Sequence, residues 1–334
     1  MQRVQPIPFD QEQFEFLAQA RDAADRLDRA MSARADYIGG MQWKAVKGID
    51  YLMRYWTGDD GKKTARSLGP RSPETEAKHS HFLAERKKAL RESQSASSHM
   101  ERAGRMAKAL RMGRVPAKVS VALTQLRAAA LTTPGGPLAV GDAAALACIE
   151  NRFHHHVPIA LHREDEVLQV VNRGDENVRT LAERIGDALL RHSAPREFDM
   201  PAEGRARLVL PDGLVIEAWT ANAVLDRVDE LHAPGEVADA VIAAFDRDGF
   251  DGVAFGRNSA VVLASCLSPA AYALVAPLMA EGGHAALMAG QRSMATEALA
   301  RAGGRHLSRE ISEAAEMARE AALEGPREMP ALRM

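Results

Sequence analysis

The sequence predicts an α+β protein in which a basic helical N-terminal module with a small antiparallel sheet precedes a larger mixed-sheet domain. Three observations lead there. Charge divides along the chain: residues 1–127 carry 24 Lys and Arg against 15 Asp and Glu, and the remainder carries 19 against 30. Gly-bounded segments rich in aromatic and β-branched residues crowd into Tyr37–Glu76, the composition of short strands. From Leu138 onward, short apolar runs, helical periodicity and hairpin turns such as Pro211-Asp212-Gly213 alternate without a regular β-α-β order. Thr132-Thr133-Pro134-Gly135-Gly136-Pro137 is the natural linker, which divides the chain into 1–133 and 137–325.

In the front half, residues 10–35 place Phe14, Leu17, Ala20, Ala24, Leu27 and Met31 at spacings of three and four, an amphipathic helix. Met41–Lys47 and Ile49–Thr57 read as strands joined at Lys47-Gly48, and Lys63–Leu68 as a third strand after the Thr57–Gly61 turn. Ser72 caps the next helix, with Pro73 in its first position and Glu74 at the positive end of its dipole. That helix spans 73–112, as one piece or two in line because Ser93–Ser98 weakens it, and Gly113 with Pro116 ends it. A short helix over 117–131 follows.

The back half begins with a strand over Leu138–Asp142 and a helix over Ala143–Glu150. Val157–Leu161 and Val167–Val171 are strand-like, and Glu176–His192 is helical. Arg207–Leu210 and Leu214–Trp219 form a hairpin, as do Phe250–Phe255 and Ala260–Ala264. Helices are expected at Val237–Phe245, 269–281 and 308–323.

Composition sets the class. Hydrophobic residues at 46% suffice for a sizeable core. Cys148 and Cys266 show no metal or redox spacing and read as buried thiols of a reducing, cytoplasmic compartment. The N-terminal MQRVQPIPFDQEQ has no apolar run after Arg3, so no secretory signal is expected, and no apolar run is long enough to span a bilayer. Only the basic front invites a polyanion: residues 41–127 carry 19 Lys and Arg against 8 Asp and Glu. Lys44, Lys47, Arg54, Lys62 and Lys63 are the candidate nucleic-acid-binding residues. The alternative is a half-buried sheet whose charged face is solvated and whose aromatics pack on the next helix. Arg111, Arg114 and Lys118 likewise form either a basic stripe or a solvated face.

Carboxylates carry the candidate chemistry. Glu164 and Glu166 are two apart and face the same way on an extended chain, and Glu217 lies between apolar residues on a strand. Carboxylates converging from neighbouring strands could hold Mg²⁺, a hard cation that shares oxygen ligands with phosphate. The alternative is a solvated charge run, Arg163-Glu164-Asp165-Glu166. His154-His155-His156 reads as a polar loop, because consecutive side chains point apart and do not converge on a metal.

The segments WKAVKGIDYLMR, RSLGPRSPETE and LRMGRVP resemble the front of a bacterial family of nucleotidyltransferase-fold proteins within the DNA polymerase β superfamily. The resemblance spans nearly the whole chain and implies a nucleotidyltransferase-like second domain that binds nucleotide. It places Gly141 and Asp142 at the glycine-and-helix start that meets the nucleotide, with Asp142 where a small hydroxyl residue belongs. Glu164 and Glu166 fall on the Asp-x-Asp pair and Glu217 on the third carboxylate, which makes them the implied catalytic and Mg²⁺-binding residues. Ala270 and Val275-Ala276 stand where the family has Arg and His-Lys. If such a site is active, the resemblance implies Mg²⁺-dependent transfer of a nucleoside monophosphate from NTP to an acceptor. Three Glu for Asp, a charge at 142 and the missing cations imply a diverged or impaired site. The runner-up is a non-catalytic scaffold that binds nucleic acid or a protein partner.

Overall fold

The computed structural model describes residues 4–57, 62–159, 167–174, 176–190, 198–245, 249–281 and 283–325. Along them run β1 (Ile7–Pro8), α1 (Gln11–Ala35), β2 (Gly40–Val46), β3 (Ile49–Thr57), β4 (Lys63–Pro70), α2 (Pro73–Ala109), β5 (Gly113–Val115) and α3 (Ala117–Ala128). Next come β6 (Leu138–Val140), α4 (Ala143–Phe153), β7 (His155–His156), β8 (Val167–Asn172), α5 (Val178–Leu190), β9 (Phe198–Ala202), β10 (Arg205–Val209) and β11 (Val215–Thr220). The chain continues through α6 (Ala221–Glu230), α7 (Gly235–Phe245), β12 (Phe250–Gly256), β13 (Val261–Cys266), α8 (Pro269–Leu278), α9 (Gly283–Ala302) and α10 (Arg309–Glu324). It is a mixed α/β chain of two compact units, residues 18–103 and residues 1–17 with 104–334. Residues 104–133 therefore associate with the larger unit, where β5 pairs with β12 and α3 packs on β13.

The smaller unit carries an antiparallel sheet of order β2-β3-β4. A two-residue loop joins β2 to β3, with Lys47 at φ 50° and Gly48 at φ 81°. Both central residues are left-handed, the geometry that matches strand twist in a tight hairpin. Register decides which side chains share a face, since directly paired residues point the same way. Trp43 pairs with Leu52, and Met41 with Arg54. That side meets α2: Leu52 is fully buried, Trp43 packs edge-on to His79, and the Arg54 guanidinium lies 4.4 Å above the Phe82 ring. Helix α2 is unbroken at its serines. Ser93, Ser97 and Ser98 turn their hydroxyls back onto the carbonyls of Leu90, Ser93 and Gln94, so the competing hydrogen bonds stay within the helix.

The larger unit is built on an eight-stranded mixed sheet of order β5-β12-β13-β6-β8-β11-β10-β9. Pairs β5/β12, β13/β6 and β8/β11 are parallel; the other four are antiparallel. Its core includes Leu138, Leu146, Ile149, Leu168, Trp219 and Tyr272, all buried. Helix α8 carries no charged residue and is buried from Ala270 to Leu278, packed against α9, α10 and α7. Such all-round burial explains its lack of amphipathic periodicity.

Several sequence expectations need correction. Val157–Ile159 is not a strand, and residues 160–161 lie outside the described residues. The histidine run is no loop: His154 caps α4 at φ 57°, and His155–His156 pair with Pro8 and Ile7. Helix α9, absent from the expected elements, lacks a marked apolar face because it is covered on several sides. Among the described residues, no helix is long and apolar enough to cross a membrane.

Candidate functional site

Glu217 sits on β11, where its register partners are Gln169 on parallel β8 and Arg207 on antiparallel β10. Arg207 in turn faces Asp199 on β9. The row Gln169, Glu217, Arg207, Asp199 thus crosses four strands on one face, an alternation of the kind that stabilises cross-strand pairs. Gln169 Nε2 donates to Glu217 Oε2 at 3.0 Å and to the Met279 carbonyl at 3.1 Å. Arg205 closes the other side, stacked 3.8 Å over the Trp219 ring and ion-paired with Glu281. Glu217, Arg205, Arg207 and Trp219 line a recess of about 40 Å³. That is room for roughly one water.

Glu164 and Glu166 lie outside the described residues. The described part of the Mg²⁺ set is therefore one carboxylate, already bonded to a neighbouring amide. Alone it does not fit an ion that takes octahedral oxygen ligation. Among the described residues, no three His, Cys, Asp or Glu side chains converge on a possible metal position.

Gly141 and Asp142 join β6 to α4. A Cβ at Gly141 would come within 2.8 Å of the Met279 methyl and 3.4 Å of Val171, so the core closes directly over this residue. Asp142 is the N-cap of α4: the Ala144 amide donates to its Oδ1 at 2.7 Å, which fills an amide at the helix start. The side chain is 4% exposed. Burial pushes its pKa up to about 6, against the opposing pull of the Ala144 amide and of Arg292 on α9. The positive end of α4 therefore faces an internal carboxyl group. Ala270 and Ala276 are both buried in α8, positions where a cation would displace core.

The five basic candidates of the smaller unit do not share one face. Lys44 pairs with Tyr51 and Lys63 with Thr57, on the side of the sheet away from α2. Arg54 is on the α2 side, and burial together with Arg86 lowers its pKa. Lys47 lies in the β2–β3 turn, and Lys62 immediately precedes β4.

A larger cavity, about 450 Å³, opens elsewhere in the larger unit between Phe9, Gln13, Arg111, Arg114, Glu150 and His156. Its floor is an ion pair between the partly exposed Arg114 and the buried Glu150. Arg114 Nη2 donates to Glu150 Oε1 at 3.3 Å and to the carbonyls of Val157 and Ile159, and the Val157 amide donates to the same Glu150 oxygen at 2.8 Å. Burial outweighs these contacts and pushes Glu150 up to about 7. Sequence reasoning singled out Arg114 but not Glu150, which ends the apolar stretch of α4, nor Gln169, the single amide within Val-Leu-Gln-Val-Val. A lone polar group inside a buried run was the available signal for Gln169, whereas Glu150 is followed directly by Asn151 and Arg152 and did not stand out.

In comparisons with known proteins, the chain matches no family model, no curated protein and no solved structure.

Proposed function

We propose that this chain is a diverged nucleotidyltransferase-fold protein, impaired in transfer, that works by binding nucleotide or nucleic acid. The observation that carries the reading is Asp142. A phosphate at the start of α4 would use its free amides and positive dipole. Here a carboxyl group from the chain itself takes that place, and a core with Gly141 packed against Met279 backs it. The described surroundings of Glu217 agree with impairment, since its register partners on the two neighbouring strands are Gln169 and Arg207 and neither is a carboxylate.

The test is a titration of the intact protein with labelled NTP in Mg²⁺ or Mn²⁺, scored for binding and for transfer. We expect no transfer and weak binding that Asp142→Thr strengthens at least tenfold, since a like charge about 4 Å from a phosphate costs roughly 4 kcal/mol before screening. Transfer by the unmodified protein, abolished in Glu217→Ala, would overturn the impairment. Unchanged NTP affinity in Asp142→Thr would remove the α4 terminus as the phosphate position.

A further inference from the structure

The side of the small sheet opposite α2 has a composition that the register exposes. Its positions are Gln42, Lys44 and Val46 on β2, Ile49, Tyr51, Met53, Tyr55 and Thr57 on β3, and Lys63, Ala65 and Ser67 on β4. All the β2 and β4 members are exposed, and Tyr51, Met53 and Tyr55 on the central strand are partly exposed. No carboxylate occurs among them; Asp50, the acid of β3, is on the other face and pairs with Arg71. Two tyrosines and a methionine thus stand in line on the middle strand, two residues or roughly 6.6 Å apart. Lysines flank them at diagonally opposite corners. Strands β2 and β4 lie about 10 Å apart across this face, given a spacing near 4.8 Å per strand.

We propose that this face binds single-stranded nucleic acid, with bases stacked on Tyr51 and Tyr55 and phosphates met by Lys44 and Lys63. The inference takes the nucleic-acid part of the reading above and assigns it a surface and a substrate class; it does not depend on the transfer question. Aromatic rings on an open sheet offer a π-face that every base can use, and flanking cations follow the backbone. Stacking requires bases that are not already stacked in a duplex, which selects the single strand. Arg54, on the buried side over Phe82, makes no direct contact in this arrangement.

Fluorescence anisotropy of the full chain with a labelled oligonucleotide of about 15 nucleotides, single-stranded and as a duplex, tests the proposal. Tyr51→Ala and Tyr55→Ala should each weaken single-strand binding roughly 5- to 150-fold, with the phenylalanine variants nearly unchanged. Lys44→Gln and Lys63→Gln should each lower the slope of log affinity against log salt by about 0.7. These lysines are exposed, so the salt arm stands even where an alanine variant fails to fold. Duplex affinity equal to single-strand affinity, with tyrosine truncation harmless, would overturn the proposal in favour of a purely electrostatic polyanion contact. Absence of binding at low salt would also overturn it and leave the face to a protein partner. Failure of the NTP titration alone leaves this inference standing.

Discussion

Asparagine at position 142 keeps the helix cap and removes the charge, which isolates the cost of holding that carboxyl group inside the larger unit. The Ala144 amide can donate to an asparagine oxygen as it does to Asp142 Oδ1, and asparagine caps a helix as well as aspartate does. In the folded chain burial raises the Asp142 pKa from 3.8 to about 6. Below the lower value the group is protonated folded and unfolded, and the stability linked to it is fully present. As the pH rises through about 6 the unfolded chain has already ionised, the folded chain does so at a cost, and that stability is lost. About two pKa units correspond to about 3 kcal/mol. Asp142→Asn should therefore match the parent near pH 4 and exceed it by about 3 kcal/mol at pH 7.5. Urea unfolding at half-unit pH intervals, read through tryptophan fluorescence, measures this difference, with Trp219 buried in the same unit as the only tryptophan there. A gap independent of pH would refute the reasoning, as would an asparagine variant less stable than the parent at pH 7.5. Either result would mean that Asp142 ionises readily in place, held by Arg292 and the α4 dipole, and that an anion is welcome at that helix start.

Further outcomes follow from the packing. Glu150→Gln should behave as Asp142→Asn does in a higher window: the parent loses about 3 kcal/mol relative to the variant between about pH 4.5 and 7, and parallel pH–stability curves would contradict that. Gly104→Ala puts a Cβ 1.7 Å from the Ser259 carbonyl oxygen, a backbone atom that cannot swing aside. It should cost at least about 1–3 kcal/mol, and an unchanged Tm would contradict the close approach of Gly104 to Ser259. Leu52→Ala empties a fully buried position beneath the small sheet and should destabilise the smaller unit by about 2–5 kcal/mol, read by amide exchange in β2–β4.

The sequence by itself determined the elements whose signals are local. The Lys47-Gly48 turn demands left-handed backbone and brings β2 against β3; Ser72-Pro73 starts α2; Pro211-Asp212-Gly213 turns β10 into β11. Period-two alternation along β3 was legible too, but not which face would be covered, because either face carries aromatics. Only the packing of α2 decided that, sending Trp43 and Arg54 inward and leaving Tyr51 and Tyr55 outward. Long-range pairing was beyond local pattern as well. Residues 113–115 look like a helix end in sequence, yet their backbone groups pair with β12, more than a hundred residues on. At the candidate site, Asp142 and Glu217 could be placed on their elements from the sequence, but a carboxylate's character depends on what surrounds it. Met279, Arg292, Gln169 and Arg207 come from three other strands and helices and the turn after α8. They turn one acid into a buried cap and the other into part of a cross-strand ladder, since desolvation and neighbouring charge are properties of the fold and not of the residue.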